Sequence, residues 1–180
     1  MALTAIPDTG PPVAQGFAAA ARHDARVLVL GSLPGVKSII AGEYYAHPRN
    51  AFWEIVEDLY AIPRAIPYKT RIVKLNARGI ALWDVLGASR RKGSLDSAID
   101  AASAVPNDFA KFFARHPRVE LVAFNGKTAA RLYRRHVAGQ LSERQAEFVT
   151  LPSTSPAHAA ISYAEKLRQW QEGLSKVNIV

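Results

Sequence analysis

The chain has 180 residues, 49% of them apolar, which is enough to bury the core of one domain but a tight fit for two. The absence of cysteine excludes disulfides, Cys-ligated zinc and iron–sulfur clusters, and the formal net charge of +8 favours a polyanionic partner such as nucleic acid or an anionic membrane surface. No apolar run approaches the roughly 18 residues of a membrane span, and the first residues lack a signal-peptide pattern, so we expect a cytoplasmic protein without membrane contact.

The predicted elements alternate between strands and helices. Prolines and a glycine near the start predict an extended segment over residues 1–15, ahead of a single domain of residues 16–180. Short β-rich runs predict strands at 26–30, 79–83, 119–124 and 147–151. Helical patterns lie at 51–60, 68–76, 107–115, 126–138 and 162–175. This alternation predicts an α/β fold, a three-layer α/β/α sandwich with a short, mostly parallel central sheet of about four strands.

Polar segments follow the predicted strands. In an open parallel sheet, ligands bind beyond the carboxyl ends of the strands, which directs attention to 31–35, 84–93, 125–127 and 152–158. The first of these is Gly-Ser-Leu-Pro-Gly, whose glycines let backbone N–H groups approach a ligand closely. It matches neither the G-x-S-x-G nucleophile elbow nor the Gly-rich nucleotide-binding patterns, which argues against acyl transfer, dinucleotide binding and nucleoside-triphosphate binding.

The segment of residues 43–53 interleaves aromatic and polar residues outside any helical or strand period. Its sequence is Glu-Tyr-Tyr-Ala-His-Pro-Arg-Asn-Ala-Phe-Trp. Such a mixture suits a pocket in which a flat ring stacks on an aromatic side chain while neighbouring polar groups address the edge of the ring. An aromatic pair that merely belongs to the core is the alternative.

Three segments in this order resemble motifs of the uracil-DNA glycosylase superfamily, namely residues 31–35, residues 45–53 and Leu-Pro-Ser-Thr-Ser-Pro at 151–156. The hypoxanthine-DNA (deoxyinosine) glycosylase branch is the most similar, because its members also resemble residues 83–86 and 92–96, and the likeness extends from about residue 26 to 170. The resemblance implies a monofunctional DNA glycosylase of base-excision repair that uses no metal or cofactor. Such an enzyme flips a deaminated base out of DNA, here hypoxanthine in preference to uracil, and hydrolyses its N-glycosidic bond. We expect a monomer.

The resemblance also implies roles for individual residues. Leu33 replaces the asparagine that holds the attacking water in the mismatch-specific enzymes, and Asn50 is the implied substitute, with capping of the following helix as its alternative. Asp84 would accept the N–H of an oxo-base or cap a helix, and His47 would donate to the base or a phosphate or bond local backbone. The other predicted base contacts are Ser32, Leu33, Pro34, Gly35, Phe52 and, as the stacking face, Tyr45.

Predicted contacts to the DNA backbone come from basic clusters and from the late serine-rich loop. They are Arg90, Arg91, Lys92, Lys127, Ser153, Thr154, Ser155 and Pro156. For the cations, a solvated basic surface is the alternative. Apolar residues at 33 and 151, where the family has polar ones, leave open a nucleic-acid-binding module that has lost catalysis. The charge weighs against a third interpretation, a hydrolase of free nucleosides or nucleotides.

Overall fold

The computed structural model describes residues 11–140 and 146–177. Its strands and helices, in chain order, are β1 (Val13–Gln15), β2 (Val27–Gly31), α1 (Val36–Ala41), α2 (Phe52–Tyr60), α3 (Tyr68–Ala77), β3 (Ile80–Asp84), β4 (Leu86–Arg90), β5 (Val105–Pro106), α4 (Phe109–Arg115), β6 (Leu121–Asn125), α5 (Lys127–His136), β7 (Glu147–Leu151) and α6 (Tyr163–Leu174). Single turns of 3-10 helix lie at Asp96–Ala98 and Ala138–Gln140. Among the described residues, none of the helices combines the length and the apolar character that crossing a bilayer requires.

The central sheet has four parallel strands in the order β3-β2-β6-β7. Because the strands run in one direction, their carboxyl ends meet at the same edge. The register places Gly31 beside Asp84 and Asn125 beside Leu151 at that edge. The predicted sheet and fold class are confirmed.

Two apolar cores cover the two faces of this sheet. Successive side chains of a strand point to opposite faces, so Leu28 and Leu30 of β2 face one core while Val27 and Val29 face the other. The first core is completed by α4 and α5, and the second by α2, α3 and α6. This arrangement produces the three predicted layers.

A second, antiparallel sheet of order β1-β4-β5 was not predicted. In it Val13 pairs with Arg90, so residues 13–15 are a paired strand rather than a free extended lead-in. Three residues next to two prolines carry no periodic signal, and their pairing depends on β4, more than 70 positions along the chain. Residues 1–10 of the predicted segment lie outside the described residues, and the single domain of residues 16–180 stays a prediction.

Candidate active site

A cleft of about 630 Å³ opens at the carboxyl edge of the sheet. Every predicted strand exit contributes to its lining, and the 43–53 segment adds Tyr45, His47 and Asn50. A volume of this size is typical of small-molecule sites, which span roughly 300–1,000 Å³. The cleft therefore has room for a single extruded base and part of its sugar.

Arg91 holds the 31–35 turn from inside the protein. Its side chain is 2% exposed, and its guanidinium donates to the carbonyls of Leu33 (3.2 Å), Pro34 and Gly93 (3.0 Å). Burial lowers the pKa of Arg91, and the carboxylates of Asp96 and Asp84 oppose this. The prediction that Arg91 contacts a phosphate is wrong, because its donors are turned inward to backbone carbonyls and water does not reach them.

The same turn is tied to residues 94–96 by two further hydrogen bonds. Ser32 Oγ donates to Asp96 Oδ1 at 2.6 Å, and the Val36 N–H donates to Ser94 Oγ at 2.9 Å. Burial raises the pKa of Asp96, and the hydrogen bond from Ser32 opposes this. The turn is thus fixed through its carbonyls and side chains before any ligand binds.

The N–H groups of the turn remain available. Within residues 11–140 and 146–177, no hydrogen bond uses the backbone N–H of Ser32, Leu33 or Gly35, and Pro34 has none to offer. All four residues border the cleft. The Leu33 side chain is only 5% exposed and packs in the core, so the turn offers a ligand chiefly its backbone. Preorganised N–H groups of this kind stabilise an oxygen on which negative charge develops.

Asp84 is the buried carboxyl group of the cleft. It ends β3 with 3% exposure, and among the described residues its Oδ2 has no hydrogen-bond partner. The pKa of Asp84 is raised to about 7, chiefly by burial, with the charge of Asp96 adding to the rise and that of Arg91 opposing it. A side chain at Gly31 would overlap Asp84 Oδ1, so this close approach requires glycine. The helix-cap alternative for Asp84 is wrong, because the next element is the strand β4.

Tyr45 brings an aromatic ring to the cleft in an unusual backbone conformation. Its φ of 58° lies in the left-handed region that few non-glycine residues adopt. Its ring stacks on Phe52, with centroids 4.1 Å apart, while Phe52 is 1% exposed and lies behind it. Burial raises the pKa of the Tyr45 hydroxyl above its usual value, and Asp84 adds to this. The predicted base contact of Phe52 is wrong, because the first turn of α2 faces the core and, of these two stacked rings, Tyr45 is the one that borders the cleft.

Asn50 and His47 both border the cleft and both bond local backbone. Asn50 Oδ1 accepts the Phe52 N–H at 3.0 Å, which is the anticipated capping role. Among the described residues no hydrogen bond uses its Nδ2, and Oδ1 keeps a second lone pair. His47 Nδ1 accepts the Arg49 N–H at 3.1 Å, which leaves Nε2 as the ring nitrogen free to donate. Local backbone bonding and ligand binding are therefore compatible at both residues.

A reciprocal pair between Asn125 and Thr154 anchors the late loop. Asn125 Nδ2 donates to Thr154 Oγ1 and Asn125 Oδ1 accepts the Thr154 N–H, each at 2.8 Å. Thr154 borders the cleft but is only 1% exposed, and its hydroxyl accepts from Asn125, so its predicted contact with DNA stays a prediction. Asn125 was missed as a site residue although it lies in a predicted strand exit. A polar side chain directly after an apolar strand was the signal that could have identified it.

The rest of the late loop stays at the surface of the cleft. Ser153, Ser155 and Pro156 all line it, and the two hydroxyls accept backbone N–H groups at 3.3 Å, which leaves their protons for donation. Helix α6 holds the loop from behind: Trp170 Nε1 donates to the Pro152 carbonyl at 2.9 Å. Lys166, 6% exposed, donates from Nζ to the His158 carbonyl at 3.3 Å, and burial lowers its pKa.

The basic residues predicted to contact DNA differ in their position relative to the cleft. Lys127 is exposed and borders the cleft, as does Lys37, which was not predicted. Lys92 is exposed outside the lining, and Arg90 reaches the Pro11 carbonyl at 3.4 Å beside the second sheet. In the described part of the chain, no three His, Asp or Glu side chains are grouped closely enough to hold a metal ion.

Known proteins are similar to this chain in sequence and in fold over most of its length. The family model of the uracil DNA glycosylase superfamily matches residues 18–174. A hypoxanthine DNA glycosylase of Methanosarcina acetivorans is 34% identical over 153 residues, 83% of this chain and 91% of that protein, and one of Methanosarcina barkeri is 38% identical over 118 residues, 63% and 71% of the two chains. The solution NMR structure of a candidate uracil DNA glycosylase from Methanosarcina acetivorans superposes with a TM-score of 0.73 at 32% identity, covering 89% of this chain and 96% of that one.

Proposed function

The chain belongs to the uracil DNA glycosylase superfamily, and we propose that it is a DNA glycosylase that releases hypoxanthine from DNA in base-excision repair. The family predicted from the sequence is confirmed. The cleft itself supports hypoxanthine as the substrate. Free backbone donors, a buried carboxyl group and a stacked tyrosine meet there at one edge of the sheet. A cytoplasmic location, the monomeric state and the absence of lyase activity stay predictions.

Hypoxanthine stacked and paired in a duplex does not present its Watson–Crick edge or its glycosidic bond to the cleft, so the nucleotide must first be extruded. The ring of Tyr45, which borders the cleft, then stacks on the base, a contact that contributes roughly 1–3 kcal/mol. The N–H groups of the 31–35 turn donate to O6, and a carboxyl oxygen of Asp84 accepts from N1–H. Adenine would present amino hydrogens to the turn donors and an unprotonated N1 to the carboxyl oxygen, so the same groups reject it.

Cleavage of the N-glycosidic bond leaves positive charge on the sugar and negative charge on the departing base. The turn donors stabilise that negative charge without moving, because Arg91 and Asp96 already hold the turn in place. Asn50 orients the attacking water through the second lone pair of Oδ1. An amide has no useful basicity, so its role is positioning, and water adds to the sugar to leave an abasic site and the free base.

Contacts to the DNA backbone complete the proposal. Lys127 and Lys37 lie on the rim of the cleft, where their charges reach phosphates flanking the extruded nucleotide. Ser153 and Ser155 have hydroxyl protons that can be donated to phosphate oxygens. Pro156 follows them in the same loop and lines the cleft, where DNA would pass. His47 Nε2 is a further donor to the base or to a phosphate.

The test is a panel of oligonucleotides, each with one hypoxanthine, uracil or xanthine, scored for alkali-labile strand breaks. We expect breaks at hypoxanthine, and a loss of about 100-fold in the Asn50→Ser variant, similar to removal of one oriented polar group in other enzymes. Serine also caps helices, so this variant separates catalysis from the stability of α2. Undiminished turnover in Asn50→Ser would remove Asn50 from the mechanism.

The same panel tests the competing function, a DNA-binding module without catalysis. The side chains of Leu33 and Leu151, 5% and 3% exposed, belong to the core and bring no polar group to the cleft. Salt-dependent binding of lesion duplexes with no strand break at any lesion would favour that function.

A further inference from the structure

Three large apolar side chains are exposed on α1 and on the neighbouring segment at the rim of the cleft. They are Val36 (41% exposed), Ile40 (81%) and Leu95 (58%). Val36 and Ile40 are four residues apart on α1 and therefore lie on one face of that helix. The Val36 N–H donates to Ser94 Oγ, which places Leu95 next to the start of the helix. We call Val36, Ile40 and Leu95 the apolar lip.

Leu95 joins the lip to the cleft. It lines the cleft, and the residues on either side of it are hydrogen-bonded: Ser94 Oγ accepts the Val36 N–H, and Asp96 accepts from the hydroxyl of Ser32. These hydrogen bonds tie the segment of Leu95 to α1 and to the 31–35 turn. Leu95 therefore presents apolar surface at the mouth of the cleft, where the extruded nucleotide must enter.

Charge identifies the partner. Lys37 follows Val36 on α1 and borders the cleft, and Lys92 is exposed in the segment that leads to Leu95. Apolar side chains flanked by lysines match a surface that meets phosphates outside and bases inside, as in proteins that insert apolar wedges between base steps. A chain with a net charge of +8 attracts DNA to this rim.

We propose that the apolar lip packs against the base stack of duplex DNA, with Leu95 entering the stack beside the extruded nucleotide. This inference rests on the proposed glycosylase function and adds a contact to the base stack that lies outside the late loop at 152–158. Leu95 replaces part of the stacking that the neighbouring base pair loses, which lowers the free energy of the extruded state. Val36 and Ile40 widen the apolar contact along the groove.

The test compares duplex and single-stranded oligonucleotides that carry one hypoxanthine, in single-turnover reactions with wild type, Leu95→Ala, Leu95→Met and Val105→Ala. A single strand has little stacking to break, so Leu95→Ala should slow release from duplex about tenfold and from single strands less than about twofold, since unstacking a step costs a few kcal/mol and the wedge offsets part of it. Leu95→Met keeps an apolar side chain and should retain most of the duplex rate. Val105, 56% exposed and outside the cleft, is the matched control and should change neither rate.

A second readout follows the stack itself. A 2-aminopurine placed beside the hypoxanthine brightens when it loses its stacking partner, so its fluorescence on binding should be smaller with Leu95→Ala than with wild type. Equal losses on duplex and single strand, or unchanged duplex release and fluorescence, would overturn the wedge. If wild type releases no base from any substrate, the proposed activity fails, and the fluorescence of the bound duplex still decides the role of Leu95.

Discussion

Replacement of Asp84 by asparagine should change how the stability of the protein depends on pH. Asp84 is 3% exposed, and burial raises its pKa from an ordinary 3.8 to about 7, with Asp96 adding to the rise and Arg91 opposing it. A carboxyl group with a raised pKa binds its proton more tightly in the folded than in the unfolded chain. Its contribution to stability is therefore complete below the unfolded pKa and is lost as the pH rises through the folded one.

The difference between those two pKa values corresponds to a free energy on the order of 4 kcal/mol. Most of the loss falls between pH 5 and pH 8, and over that interval linkage predicts that wild type loses on the order of 3 kcal/mol. Asparagine has nearly the same shape and does not titrate, so the variant lacks this loss. Asp96 and Arg91 remain in both proteins, and because Asp84 and Asp96 repel each other, the comparison reports the titration of this pair of carboxyl groups.

Urea unfolding of both proteins at pH 5 and pH 8 measures the effect. The fixed cost of burying an amide is the same at both pH values. The relevant quantity is therefore how much the difference in free energy of unfolding between wild type and variant changes from pH 5 to pH 8. Asp100 is an exposed carboxyl group close in sequence, and Asp100→Asn should follow the pH dependence of wild type. If the free energies of unfolding of wild type and Asp84→Asn fall in parallel, burial does not perturb Asp84 and the reasoning fails.

Three further substitutions separate buried from exposed roles. Arg91→Met should lower the free energy of unfolding by roughly 3 kcal/mol in urea titrations, because it leaves two or more buried carbonyls unpaired. Weaker DNA binding at unchanged stability would contradict a structural role for Arg91. Lys127→Ala should leave stability unchanged and reduce the slope of log Kd against log salt by about 1, and an unaltered slope would mean that no phosphate is contacted. Thr154→Val should lower the free energy of unfolding by about 2 kcal/mol in thermal unfolding, because the Asn125 Nδ2 donor loses its acceptor. Thr154→Ser keeps the hydroxyl and should keep most of the stability. Equal losses in the two variants would mean that packing, and not the hydrogen bond to Asn125, accounts for the effect.

Much of the parallel sheet could be predicted because its signals are local. The run at 27–31 is wholly buried, so it is apolar at every position and ends at a glycine, and the other central strands are bounded in similar ways. The strand at 13–15 and the helix at 36–41 escaped prediction. Both are short, and each depends on partners distant in the sequence, namely β4 and Ser94.

The candidate site likewise has residues that could be predicted from local sequence and residues that could not. Residue types and their order suffice to indicate the superfamily and to bring Asn50, Tyr45 and Asp84 forward, because the chemistry of a flipped base restricts which side chains are useful. Burial of Arg91 and Thr154 could not be seen, since an arginine in a basic run and a threonine in a serine-rich loop look like surface residues.

Their orientation depends on contacts that cross the chain. Arg91 reaches the Leu33 carbonyl 58 positions away, and Thr154 reaches Asn125 over 29. Contacts of that range exist only once the strands have aligned and their exits share one edge. Local patterns in the chain thus establish which groups arrive at the cleft. Folding establishes which of them face the cleft and which are turned inward to hold the others, because burial is a property of the assembled layers and not of any one segment.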